Sequence, residues 1–274
     1  MEKTGAIIQP PARFAFNFKE LWQYRELLYF FAWRDIKVRY KQTILGIFWA
    51  LLQPLSLMLL FTVIFSKTSV SENTGDIPYA VFVLSGLVTW NLFHASVSHA
   101  ADSMVVNASI IKKIYFPRLL IPLSNLLTAL IDFFIAFLFF IIICLAYGQP
   151  FDIQATVFFP ASVLLCQIAA LGMGSFLGAL NVKYRDFRYA LPFLLQVLFF
   201  LSQVIYSMKH VFSSEWKFLL SLNPMNAVIE IFRGGLGLPV DKLVVATGFS
   251  TAIILLFTGL WYFKKTENYF ADIA

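Results

Sequence analysis

Arg34-Asp35-Ile36-Lys37-Val38-Arg39-Tyr40-Lys41-Gln42-Thr43 runs directly into residues 44–66, ILGIFWALLQPLSLMLLFTVIFS, which hold 23 positions without an Asp, Glu, Lys or Arg. A charge run that stops where an uncharged stretch of this length begins marks a membrane entrance, because about 20 apolar residues in a helix cross the hydrocarbon core. Arg34, Lys37 and Lys41 fall on one side of a helix at i, i+3, i+7, with Ile36 and Tyr40 on another. Such a segment fits a helix in the headgroup layer that precedes the turn into the bilayer. Further upstream, Pro10-Pro11 breaks the chain. Residues 18–33 then form an aromatic-rich amphipathic pattern with Leu21, Tyr24, Leu28 and Phe31 at helical spacing.

The whole composition agrees with a bilayer protein. Hydrophobic residues make up 59% and charged residues 13%, and the mean hydropathy is +0.76, whereas a soluble domain carries about 25% charged residues. The net charge of +6 does not indicate nucleic acid, because the basic residues sit between apolar segments and form no face with base-stacking aromatics. Cys144 and Cys166 both lie inside apolar segments and read as small buried hydrophobes. No cleavable leader is expected, since the first long apolar segment follows some forty mixed residues.

Six spanning segments are predicted at about 44–66, 79–101, 119–147, 154–180, 190–208 and 243–263. With the N-terminus inside, the cytoplasmic parts 1–43, 102–118, 181–189 and 264–274 hold 8, 3, 3 and 2 of the 21 Lys and Arg, a positive-inside bias. Both termini are then cytoplasmic. The chain therefore reads as an all-α integral membrane protein of one domain: a cytoplasmic N-terminus (1–43), a six-helix transmembrane domain (44–263) and a cytoplasmic tail (264–274). Within the domain, 207–241 has an apolar core too short to cross, interrupted by Asn223-Pro224. It reads as a broken hairpin in which Asn223 caps a second short helix, Pro224 opens it, and Gly234-Gly235 with Gly237 end it. Backbone of that kind survives at membrane depth only beside protein or a water-filled path.

Three motifs carry a resemblance. They are residues 34–43 with Leu45-Gly46, Trp49 and Pro54; Lys112-Lys113 with Tyr115-Phe116-Pro117-Arg118 and Pro122; and Asn223-Pro224-Met225 with Arg233. In this order they resemble the permease subunits of type-2 ABC exporters for O-antigen, capsule and teichoic acid chains. The resemblance implies a homodimer of permeases in a bacterial inner membrane, with two separate ATPase subunits below and a lipid-linked polysaccharide as cargo. It makes the first basic helix a gate helix and the 102–118 loop a coupling element. The ATPase-coupling residues it implies are Arg34, Asp35, Lys37, Arg39, Tyr40, Lys41, Asn107, Ile111, Lys112, Lys113, Phe116, Pro117 and Arg118, with Phe116-Pro117 a rigid apolar knob for a partner groove. Asn223, Pro224, Glu230, Arg233, Gly234 and Gly235 belong to an extracytoplasmic gate.

The residues themselves limit that role. No Gly-x-x-x-x-Gly-Lys-Ser/Thr loop occurs in the chain, so ATP and Mg are expected in the partner ATPase. No cofactor or metal ligand set is expected here. The basic run and Lys112, Lys113 and Arg118 equally fit anchoring to anionic headgroups and topology, and Asp35 and Arg39 are spaced to pair. Asp132 is the acid well inside an apolar span and needs a hydroxyl, amide or basic partner from another helix. His94 and His99 read as helix-packing residues before proton-relay groups. Gly174 and Gly178 read as a close-packing pair, and Glu230 and Arg233 as a local ion pair.

With 31 Phe, 11 Tyr and 6 Trp, rings are available both for lipid packing and for sugar stacking. Tyr24, Phe31, Phe48, Trp49, Trp90, Phe93 and Tyr206 are the channel candidates. Two rival functions keep some of these features. One changes the cargo to a lipid or small amphipathic molecule. The other is a polyprenyl-phosphate enzyme built on Asp132, His94 and His99, which lacks the several acids such chemistry gathers around a metal.

Overall fold

The computed structural model describes residues 18–41, 48–66, 75, 77–151, 153–184, 186–208 and 214–267. Leu45-Gly46, the side chain of Trp49 and residues 209–213 of the expected hairpin lie outside the described residues. Among those described, all regular structure is helical: α1 Phe18–Gln23, α2 Arg25–Lys41, α3 Phe48–Phe65, α4 Tyr79–Val106, α5 Ala108–Ile111, α6 Leu120–Ala146, α7 Ala155–Lys183, α8 Phe187–Leu201, α9 Ser214–Ser221, α10 Pro224–Gly234 and α11 Lys242–Thr266. Four of these, α4, α6, α7 and α11, are long and apolar enough to span a membrane, and apolar α3 and α8 are shorter.

α4 is the axis of the fold. Most of its length is buried, with α3, α6, α7, α8 and α10 packed around it. The outer helices turn apolar faces outward: Phe134, Leu138, Ile142 and Leu145 on α6 are all more than half exposed and form one stripe. In water that would be a defect, and against acyl chains it has no cost.

Small residues set the closest crossings. A Cβ at Gly174 would come within 2.6 Å of the Ala100 side chain on α4, as the Gly174/Gly178 spacing predicts. A second crossing is tighter: Gly259 of α11 lies against the backbone of Gly172 of α7, and a Cβ at Gly172 would stand 2.5 Å from the Leu255 carbonyl. Two backbones approach this closely only where neither carries a side chain. Cys144 and Cys166 are free and buried, as read from the sequence.

The expected span 190–208 is shorter as built. α8 stops at Leu201, and Ser202–Tyr206 turns away from the helix. Asn226 of α10 holds this turn: its carboxamide oxygen accepts from the Gln203 backbone N–H at 2.7 Å, and its Nδ2 donates to the carbonyls of Leu201 (3.1 Å) and Leu220 (2.8 Å). Gln203 returns a bond to the Asn226 carbonyl at 2.8 Å. Satisfying these groups side chain to backbone replaces the helical bonds lost beyond Leu201.

Candidate functional site

The charged run of residues 34–41 is helical throughout, as the end of α2. The Leu21, Tyr24, Leu28, Phe31 stripe predicted for this region packs on an apolar cluster formed by Met104, Ile111, Phe116, Leu120, Ile121 and Phe263. α2 therefore rests on the bundle, seated where the α4–α6 connection meets the ends of α7 and α11. This differs from a helix lying free in headgroups, because Phe31 and Ala32 are buried in protein.

Two sets of polar contacts clamp α2. At its middle, Arg34 Nη2 donates to Asn107 Oδ1 at 2.8 Å while its guanidinium lies 5.2 Å over the Phe31 ring. Phe31 in turn packs on Phe116 with ring centroids 5.5 Å apart. At its last turn, Arg39 forms an ion pair with Asp132 of α6 and also reaches His99 of α4, and the Tyr40 hydroxyl donates to the other Asp132 oxygen. Burial, with the Asp132 hydrogen bond and charge, pushes the Tyr40 hydroxyl well above its usual range, so it remains a donor. Asp132 thus has both the basic and the hydroxyl partner its position requires.

This geometry corrects two expectations. Asp35 pairs with Arg34, at 2.7 Å, and not with Arg39, because Asp132 takes Arg39. Phe116 is no outward knob: it is only 4% exposed and wedges under Phe31. The outward apolar surface of this loop is Ile114 and Tyr115, 60% and 75% exposed, flanked by exposed Lys112 and Lys113. Ile111 is buried in the same cluster, and Pro117 and Arg118 are half-buried. Lys37 and Lys41 are exposed on α2, with the Lys37 ammonium 5.3 Å from the Trp33 ring.

At the opposite end, the sequence reading of the short helices holds in detail. Asn223 caps α10 by accepting from the Met225 N–H at 3.1 Å, Pro224 takes the first turn, and Gly235 follows the last. Asn223 also donates to Ser202 Oγ at 2.9 Å. Replacing it with Ala is expected to lower stability by about 1 kcal/mol, the usual cost of a lost cap, measured as a shift of the detergent-solubilised melting curve. Gly237 has φ +87° and ends the turn, and a Cβ at Gly235 would meet the Phe159 ring at 2.6 Å.

Glu230 and Arg233 do not bond to each other. Arg233, buried under the Phe82 ring at 3.4 Å, donates to the carbonyls of Val204 (2.9 Å) and Phe82 (3.2 Å). Glu230 accepts from Gln203 Nε2 at 3.0 Å and from the Asp241 N–H at 2.9 Å. The spacing fitted an exposed helix face, but both positions are buried and turn to different neighbours. Asp241 caps α11 and accepts from Lys217 at 2.5 Å. Burial alone would raise its carboxyl, but the bonds from Lys217 and the Leu243 N–H outweigh that and hold it below the usual range.

The channel candidates separate into two groups. Phe31, Trp90 and Phe93 are buried within the chain, with Trp90 packed on Phe93 and Phe199. Phe48 is 65% exposed, and Tyr24 and Tyr206 are half-buried. The sequence reading missed Asn226 and Gln203; two amides inside or beside apolar segments were the available signal.

The sequence pattern of the family described as ABC-2 type transporter matches residues 26–236, most of the chain, and covers both α2 and the α10 hairpin. The chain belongs to the ABC-2 type transporter family. Among relatives of this ABC-2 chain, the O-antigen export system permease protein RfbA of Myxococcus xanthus is 29% identical over 93% of this chain and 97% of its own length. A Klebsiella pneumoniae protein of the same name is 27% identical over 88% and 92%. The polysialic acid transport protein KpsM of Escherichia coli is 25% identical over 86% and 91%.

Proposed function

We propose that this chain is the permease of an ATP-driven exporter that moves a lipid-linked polysaccharide across a bacterial cytoplasmic membrane. Near full-length likeness to O-antigen and polysialic acid transport proteins carries the substrate class. It is a transport subunit and not an enzyme, and ATP hydrolysis belongs to a separate subunit. In the working assembly two copies pair, two ATPases bind below, and ATP and Mg are held by those ATPases. Six spans, with α3 and α8 completing the four longer ones, leave both termini cytoplasmic and set α9–α10 as the outer gate.

The clamp around α2 gives this reading its mechanism. An ATPase moving against Ile114 and Tyr115 displaces the loop, and the Phe116–Phe31 and Asn107–Arg34 contacts carry that displacement into α2. The test is Ile114→Asp with Tyr115→Asp. Both side chains are exposed, where substitutions usually change stability by no more than about 0.5 kcal/mol, so insertion and protein level should hold. Copurification of the ATPase and surface glycan export should both fall at least tenfold, since two charges replace the apolar surface of the contact. Unchanged copurification and export would remove this loop from the motor interface.

A further inference from the structure

Gln53 of α3, Asn91 and His94 of α4, and Asp132 and Phe133 of α6 line a cavity of about 120 Å³. His94 and Asp132 each stand about 18 Å along their helices from the ends joined by residues 107–119, at about 1.5 Å per residue. Asp132 is satisfied by Arg39 and Tyr40. Among the described residues, no protein partner engages the side chains of Gln53, Asn91 or His94. Three polar side chains from two helices therefore meet at one space, with Asn91 half-buried and Gln53 and His94 exposed at its mouth.

Asn91, His94, Ser98 and Asp102 also recur at i, i+3, i+7 and i+11, making one continuous polar face along α4. An apolar helix keeps such a face only where it meets water, a polar cargo or protein. We propose that the Gln53–Asn91–His94 cavity is a binding subsite for the hydroxyl-bearing edge of one saccharide unit, a reading that rests on the polysaccharide exporter proposed above. The chemistry selects this class. The carboxylate is already paired with Arg39, so the cavity calls for neither a free cation nor an anion. Two carboxamides and an imidazole offer donors and acceptors together, which matches sugar hydroxyls, while Val88, Leu92, Ala95, Ala129 and Ala136 supply small apolar walls. The volume holds several waters or one edge of a sugar ring, and not a chain of rings. The site sits beside the Arg39–Asp132 pair, so cargo entering it also touches the end of α2.

The test uses the assembled transporter in inverted membrane vesicles, with Cys144 and Cys166 replaced by Ala. His94→Cys should react with a charged, hydrophilic maleimide, whereas Leu138→Cys on the outward apolar stripe of α6 should not. Vesicles from cells that make the lipid-linked glycan should label His94→Cys at least fivefold more slowly than vesicles from a strain blocked in sugar addition to the carrier lipid. In parallel, Gln53→Ala with Asn91→Ala should lower export about tenfold, the loss of roughly 1.4 kcal/mol of polar contact. Labelling that ignores the glycan, together with normal export by the double variant, means the cavity holds water alone and overturns the subsite. No glycan export by the unmodified chain with its ATPase would instead defeat the exporter reading.

Discussion

Export should collapse when either member of the Arg39–Asp132 pair is reversed in charge and should return in part when both are exchanged. Arg39→Asp places two carboxylates together at the end of α2, and Asp132→Arg places two guanidiniums there beside His99. Removing one partner of a fully buried pair costs about 3–5 kcal/mol. Here the side chains are 31% and 21% exposed, so solvent screening reduces this to about 2 kcal/mol, a factor of roughly 30 in the occupancy of the docked helix. The exchange restores opposite charges across the same gap, with Tyr40 and His99 still adjacent to accept an altered geometry. Surface glycan measured at matched protein levels separates the outcomes. Two single variants that export normally would show that α2 needs no anchor at Asp132. A double variant no better than the singles would assign the loss to packing and not to the pair.

The second large effect concerns the backbone crossing of α7 and α11. Gly259→Leu is expected to leave no folded protein in the membrane, and Gly259→Ala to accumulate at reduced level with a lower melting temperature. A Cβ at this position falls on the backbone of Gly172, which has no side-chain rotamer to yield. Overpacking against movable side chains costs about 1–3 kcal/mol, so contact with a fixed main chain belongs at or beyond the top of that range. Thr258→Ala, one residue away and exposed, serves as the control and should behave as the unmodified chain. Fluorescence-detected size exclusion after mild solubilisation reads both. A monodisperse Gly259→Leu protein at normal yield would mean that the two helices separate readily.

Much of this molecule is legible in its sequence, and the gaps have a common cause. Residues 44–66 and the basic run before them announce a membrane protein because hydrophobicity and charge act locally. The Asn223 cap and Pro224 start are equally local. Asp132 showed its need for a partner, since a carboxylate in an apolar helix is costly anywhere. Which residue answered it was invisible, because Arg39 is distant in the chain and looked committed to Asp35. The direction of Phe116 failed for a similar reason: an aromatic before a proline looks the same whether it points out to a partner or in to Phe31. Glu230 and Arg233 satisfied a spacing rule for exposed helix faces at positions that are buried. The cavity at Gln53, Asn91 and His94 needed three helices to be placed before it existed at all.

The glycine crossing of α7 and α11 also divides the protomer mechanically. Main chain locked against main chain makes α7 and α11, with α10 packed on both, a stiff frame that cannot shear without breaking its own backbone fit. α3 and α8 are shorter and expose broad apolar faces, from Phe48 to Ile64 on one and from Tyr189 to Leu201 on the other, so nothing among the described residues covers their outer surfaces. If work enters at Ile114 and Tyr115, the frame acts as the fixed bearing and α2 as the crank. In the paired exporter proposed above, that displacement would appear along α3 and α8, the faces left open to a second copy.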